Sequence, residues 1–279
     1  MKYIPRKRTV FIALTLIICI ALLSWISIRP SNERVWATDQ AVLPHAEING
    51  EQITIRNIRN FTYTSTTNYT PSYYDKTFDL SKIRSVDYIV EPFSDWEGSA
   101  HTFLTFGFGE SESTAEYVSI SVEIRKEQGE SFSALKGLLK QYELMYVIAD
   151  ERDVIKLRTN YRKDEVFLYP VKADKPGMQQ LFLSMIERAN KLYREPEFYN
   201  TLTNTCTTNI VKHVNEIVTE RKVPLSYKVL FPGYSDQLAY DLGLIDTALP
   251  FEEMRATYKI NEKAETFADD PEFSVKIRR

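Results

Sequence analysis

The order of patterns along the chain predicts an α+β domain carried behind one membrane-spanning helix. Three observations lead there: an unbroken apolar run near the N-terminus, a first half of period-two segments rich in Thr, Tyr and Val, and a second half of period-3.6 segments. Strands first and helices after is the pattern of a mainly antiparallel sheet packed with helices, not of alternating parallel units.

The run Val10 to Ile28 is broken only by Thr15, Ser24 and Ser27, and at ~1.5 Å per residue it is long enough to cross a bilayer core. Lys2, Arg6, Lys7 and Arg8 precede it. The positive-inside rule therefore keeps residues 1–9 cytoplasmic and exports the chain beyond Arg29, as expected of a single-pass protein of the inner membrane. Ser24-Trp25-Ile26-Ser27-Ile28-Arg29-Pro30 offers no small-x-small cleavage site, so residues 10–28 read as an uncleaved anchor. Cys19, inside the run, reads as apolar filler. Residues 29–47, polar and holding Pro30 and Pro44, read as a stalk, and residues 48–220 as the main domain.

Within that domain, Ile53 to Phe78 and Val86 to Phe93 read as β-rich, and His101 to Phe108 as a strand buried on both faces. Tyr117 to Arg125 alternates without a fault, with Val118, Ile120, Val122 and Ile124 on one side and Ser119, Ser121, Glu123 and Arg125 on the other. Ser131 to Leu139 reads as a short helix, Tyr142 to Ile148 and Glu165 to Val171 as strands. Pro176 can open a helix whose face is Leu181, Leu183, Ile186, Ala189 and Leu192, ending near Arg194. A second helix is expected from about Thr205 to Thr219. Residues 221–279 read as a C-terminal appendage, with a helix-like stretch Ser235 to Leu244 and a polar tail.

Four of the 35 basic residues lie before the anchor, leaving 31 against 38 acidic ones in the exported part. A net charge of −7 argues against nucleic acid as a partner. The crowded Asp150-Glu151-Arg152-Asp153, with Arg158 and Arg162 close by, reads as a salt-bridged network and not a metal site, since the arginines already supply the cationic charge. No phosphate-binding glycine loop, paired-cysteine zinc motif or serine elbow is present. No cofactor or metal is expected.

Cys206 is the one exported cysteine, so no internal disulfide can form. It stands where the Asx/Thr-rich turn Phe198 to Thr205 runs into a helix, and the first-turn N–H groups can stabilise a thiolate and later an oxyanion, with Asn204 and Thr207 as flanking support. A small buried hydrophobe is the alternative. Among three histidines, His213 lies seven residues along the same helix, roughly 10 Å from the thiol, and His45 falls beside the stalk. His101 is left as the base. Folding of the strand pair at an even-sum register sets Glu123 beside it to fix the imidazole, although Glu123 reads equally well as a solvated strand residue.

The succession Asn57-Ile-Arg-Asn-Phe61, Ala100 to Phe108, Ser121-Val-Glu-Ile-Arg125, Tyr142-Glu-Leu144, Glu151-Arg-Asp153 and Tyr199-Asn200 followed by Asn204-Thr-Cys-Thr-Thr208 resembles a bacterial envelope family. That family is named for the N-terminal periplasmic domain of the lipoprotein N-acyltransferase Lnb, and the resemblance covers about residues 50 to 215. It implies a permuted papain-like (NlpC-type) thiol fold, in which the histidine strand precedes the cysteine helix, with Cys206 as nucleophile, His101 as base and Glu123 as third member. The expected function is a membrane-anchored, cysteine-dependent acyltransferase of the cell envelope working through a thioester, with lipid or lipoprotein as substrate. A cysteine peptidase or amidase of the envelope, and a non-catalytic binding module, are the alternatives.

Overall fold

The computed structural model describes residues 7–218 and 222–279; Lys2 and Arg6, part of the expected cytoplasmic tail, lie outside them. Helix α1 (Lys7–Ser27) contains the apolar span Thr9–Ser27, with mean hydropathy 2.7 and no residue of it buried by the rest of the protein. A helix apolar all round and uncovered by protein suits a lipid surrounding.

Among the described residues ten strands come after it: β1 (His45–Asn49), β2 (Gln52–Arg59), β3 (Thr62–Tyr63), β4 (Tyr69–Thr70), β5 (Tyr73–Asp79), β6 (Ile83–Pro92), β7 (Ala100–Phe108), β8 (Glu116–Arg125), β9 (Glu143–Ala149) and β10 (Phe167–Pro170). Eight of them form one sheet in the order β1-β2-β9-β8-β7-β6-β10, with β5 also on β2. The sheet is antiparallel except where β2 meets β9 in parallel, at Arg59 and Ala149. Asn57 takes a positive φ of 62° at an irregularity in β2, its N–H bonded to Asp75 Oδ1 at 3.0 Å. Asn is among the few non-glycine residues that enter this region readily.

Helices cover both faces. The first carries α4 (Lys175–Arg194) and α5 (Cys206–Ile217), which follow α2 (Ala134–Leu138) and α3 (Glu151–Lys156) along the chain. Alternation along β8 sends Val118, Ile120 and Val122 to this face, where they join Leu104 and Tyr146 under Phe182, Met185 and Ile210. Asp174 caps α4 by accepting from Gly177 N–H (2.9 Å), with proline in its first turn. On the second face Ile89, Phe103, Met145 and Val147 pack against Val154 and Ile155 of α3. There α3 continues into a π-helical turn, Leu157–Arg162.

Residues 222–279 form α6 (Tyr227–Leu230), α7 (Ser235–Asp241), α8 (Phe251–Tyr258), α9 (Asn261–Thr266) and α10 (Phe273–Lys276). Read from the sequence as an appendage with a polar tail, this segment instead supplies Ile260, Ala264, Phe273 and Ile277 to the second core. Burying one such large apolar side chain stabilises by about 1.5–3 kcal/mol. Residues read as a stalk also lie along the domain: Asn32 Nδ2 donates to Leu192 O, Trp36 stacks on the Arg125 guanidinium at 4.2 Å, and Gln40 is buried.

Candidate functional site

Cys206 opens α5. Asn200 Oδ1 accepts from Leu202 and Thr203 N–H (3.0 and 3.1 Å), which coils the approach. Thr205 and Thr208 then close a capping box: Thr208 N–H donates to Thr205 Oγ1 at 3.2 Å, and Thr205 N–H to Thr208 Oγ1 at 2.7 Å. The cap fixes the first turn and aims the N–H groups of Cys206 and Thr207 away from any helical carbonyl. The thiol, 8 % exposed, lies on the face covered by α4 and α5, 3.7 Å from Thr207 Oγ1, and Thr207 shares a hydrogen bond with Thr102 of β7 (2.9 Å). Asn204 is occupied otherwise: its Nδ2 donates to Phe198 O and its Oδ1 accepts from Asn209. It closes the turn, with one of its two amide N–H donors committed to Phe198 O.

A cavity of about 440 Å³ begins beside this first turn. Tyr88 and Thr207 line it near the thiol; Val211 and Val214 of α5, and Leu238 and Leu242, line the remainder. Its volume is that of a small-ligand pocket, and its walls are mainly aliphatic, with Lys172, Asp174, Thr207 and Ser235 as polar members; Cys206 lies behind Thr207 and does not itself line it. The Tyr88 phenol bonds Ser235 Oγ at 2.7 Å, and burial raises its pKa, with the neighbouring Cys206 sulfur adding to the shift. Neither Tyr88 nor the cavity was singled out from the sequence, although the stripe Thr207, Ile210, Val211, Val214 on α5 has the helical spacing that marks it.

His101 and Glu123 meet as the register requires. The β7–β8 pairing sets Phe103 against Ser121 and Phe108 against Glu116, which brings Glu123 opposite His101. His101 Nε2 lies 2.7 Å from Ser121 Oγ and 3.7 Å from Glu123 Oε1, and Ser121 donates to Glu123 at 2.9 Å. The single hydroxyl proton being given to Glu123, Nε2 must be the donor to Ser121, which leaves the lone pair on Nδ1. Burial and then Arg158 push the His101 pKa down to about 3. Burial raises that of Glu123, but Arg158, His101 and Arg59 outweigh it and bring the carboxyl to about 2. A neutral imidazole beside a carboxylate is the resulting state near pH 7.

The expected Cys206–His101 pair is not formed. Along β7, Thr102, Leu104 and Phe106 face α5, whereas His101 stacks on Phe103 on the second face, under the Arg158 side chain. Cys206 and His101 sit at the same end of the sheet with its backbone between them. His213, by contrast, shares the thiol's face but is fully engaged, bonding Tyr146 Oη through Nε2 and Ser184 Oγ through Nδ1, each at 2.7 Å. His45 lies against Tyr193 in a tilted ring contact, centroids 4.5 Å apart.

The acidic–basic cluster is a salt-bridged network. Asp153 holds Arg59 through two hydrogen bonds and accepts from Phe61 N–H and Tyr63 Oη; Arg158 joins Glu91 and Glu123; Arg278 joins Glu151 and Asp87. No group of His, Cys, Asp and Glu suited to a metal occurs among the described residues.

Residues 69–233, more than half of the chain, match the family described as the Lnb N-terminal periplasmic domain. The chain belongs to this family. The match takes in His101, Glu123, Cys206 and the α5 wall of the cavity, and it supports an extracytoplasmic role in the cell envelope. A periplasmic domain family and one N-terminal apolar helix fit a single-pass membrane protein. No curated protein and no solved structure matches the chain.

Proposed function

We propose that the protein is an acyltransferase of the inner membrane, its N-terminus cytoplasmic and its domain extracytoplasmic, which carries an acyl group as a thioester on Cys206. The observation that carries this reading is the mainly aliphatic cavity that Thr207, next to Cys206 in the first turn of α5, helps to line. A peptidase calls for an open polar cleft; an acyl chain calls for this kind of wall. In the first half-reaction the Cys206 sulfur attacks an ester carbonyl, a C–S bond forms as the C–O bond breaks, and the thiol proton leaves with the alcohol. The carbonyl oxygen takes up negative charge at the N–H groups of Cys206 and Thr207. In the second, an amine attacks the thioester, giving an amide and restoring the thiol.

Cys206 at a helix start against a largely antiparallel sheet, after the histidine strand in sequence, supports a permuted papain-like arrangement. In this reading the imidazole is not the base, because His101 lies across the sheet. Intact-mass spectrometry of the full chain in phospholipid vesicles, and separately with cell-wall peptides, tests the proposal. A fatty-acyl mass increase that Cys206→Ala removes is expected. Peptide cleavage without acylation, or full cellular function of Cys206→Ala, overturns it in favour of a hydrolase or a non-catalytic binding module.

A further inference from the structure

The end of the sheet that holds Cys206 exposes several large apolar side chains among polar ones such as Asp95, Glu97 and Lys136. Strands β6 and β8 both run antiparallel to β7, so the connections 93–99 and 126–142 leave the sheet from the same end. The turn before Cys206 joins them there, since Phe198 bridges Glu143 and Tyr199 N–H donates to Tyr142 O at 3.0 Å. Thr201 Oγ1 also donates to Ala134 O of α2 at 2.7 Å. From these segments project Trp96 (53 % exposed), Phe132 (51 %), Leu135 (67 %), Leu139 (55 %) and Leu202 (51 %). Phe231, against Trp96 at 5.1 Å, extends the surface toward α6. At the opposite end the β7–β8 turn is polar, with Glu110, Ser111 and Ser113 exposed.

The anchor says what covers this surface. Lys140, at the end of the α2 segment, donates to Trp25 O at 3.2 Å and lies 4.5 Å over the Trp25 indole. Trp25 is in the last turn of the 19-residue apolar span, where tryptophan sits at the membrane–water boundary. Ser31 N–H then donates to Glu143 Oε1 (3.1 Å) at the start of β9. The chain leaves the bilayer directly against this end of the sheet.

We propose that the loops bearing Trp96, Phe132, Leu135, Leu139 and Leu202 insert into the interfacial region of the bilayer that α1 crosses. Aromatic and aliphatic side chains on separate loops, next to a spanning helix, form a shallow membrane-seated rim of the kind that apolar burial favours. Leu202 lies in the turn that positions Cys206, so this seating holds the thiol's turn at the lipid surface. The docking stands without the thioester chemistry. Only the further step, that the acyl ester comes from the leaflet on which the domain rests, depends on the proposed function.

The test uses the unmodified full chain in vesicles of phosphatidylethanolamine and phosphatidylglycerol doped with a phospholipid bearing a photoactivatable diazirine near the glycerol. Peptides 93–99, 131–139 and 200–205 should take up label at least about fivefold more than peptide 109–115, and Leu135→Asp with Leu139→Asp should remove the label from 131–139. Label confined to α1 overturns the docking. Label confined to α1 and the cavity wall at Val214 and Leu238 also overturns it, while leaving the acyl-binding reading intact. Label on the rim with no acyl mass on Cys206 keeps the docking and removes the thioester.

Discussion

His101 and Cys206 sit at one end of the sheet on opposite sides of it, and strand alternation is the reason. Residue 102 faces α5 through its bond to Thr207, so residue 101 cannot. Sequence spacing gave the His101–Glu123 neighbourhood, because register alone decides it. The face was not legible, since which side of β7 meets the cysteine helix depends on where α5 packs. The consequence is measurable. His101→Gln should leave the rate of Cys206 alkylation by iodoacetamide within about twofold, because the imidazole lies across the sheet from the thiol. A drop of tenfold or more would restore the catalytic pair. The same residue governs acid stability. His101 is held near 3 and His213, by burial, near 4, both below the ordinary value of about 6.5. As pH falls below 6.5 the unfolded chain binds these protons and the folded chain does not, so stability is lost on acidification, by up to about 1.4 kcal/mol per pH unit for each histidine. Urea unfolding from pH 7 to 5 should show this slope, and His101→Gln should reduce it.

At the scale of elements, α5 is legible because its signals are local. The Asn/Thr turn, the Thr205–Thr208 box and the apolar stripe are all in twelve consecutive residues or next to them, and the observed Cys206–Ile217 starts one residue after the expected Thr205. Strands β6 to β9 were readable for the same reason, through alternation or continuous burial. Strand β1 was not, because its residues are half-buried or exposed at the sheet edge and carry no period. The helices α8 to α10 escaped notice since each is eight residues or fewer, too short to present a stripe. The cap itself can be tested. Thr205→Ala removes the acceptor for Thr208 N–H and should cost about 1 kcal/mol, with Thr205→Ser restoring most of it. If the first turn of α5 is what activates the thiol, Thr205→Ala should also slow Cys206 alkylation, whereas unchanged alkylation would show that the cap serves stability alone.

Across the whole molecule, the C-terminal helices complete the cover that α3 begins on the second face of the sheet. Their attachment is electrostatic as well as apolar: the Arg278 guanidinium bonds Glu151 Oε1 and Oε2, reaches Asp87 Oδ2 at 2.9 Å and lies 3.6 Å over the Tyr117 ring. No local pattern could reveal this, because Asp87, Glu151 and Arg278 are brought together only by tertiary packing. Burial raises the Asp87 pKa and Arg278 opposes it. Arg278→Met keeps much of the volume but strands two buried carboxylates, which should destabilise by about 3–5 kcal/mol near neutral pH. The pH dependence of that loss has a definite sign. Without the cation the folded-state pKa of Asp87 rises further above its unfolded value, so the folded chain binds a proton that the unfolded chain does not, and stability falls as pH rises through that window. The cost of Arg278→Met in urea unfolding should therefore be smaller at pH 5 than at pH 8. A cost that is equal at the two pH values would mean that Arg278 acts through its packing on Tyr117, and that the carboxylates are relieved by water.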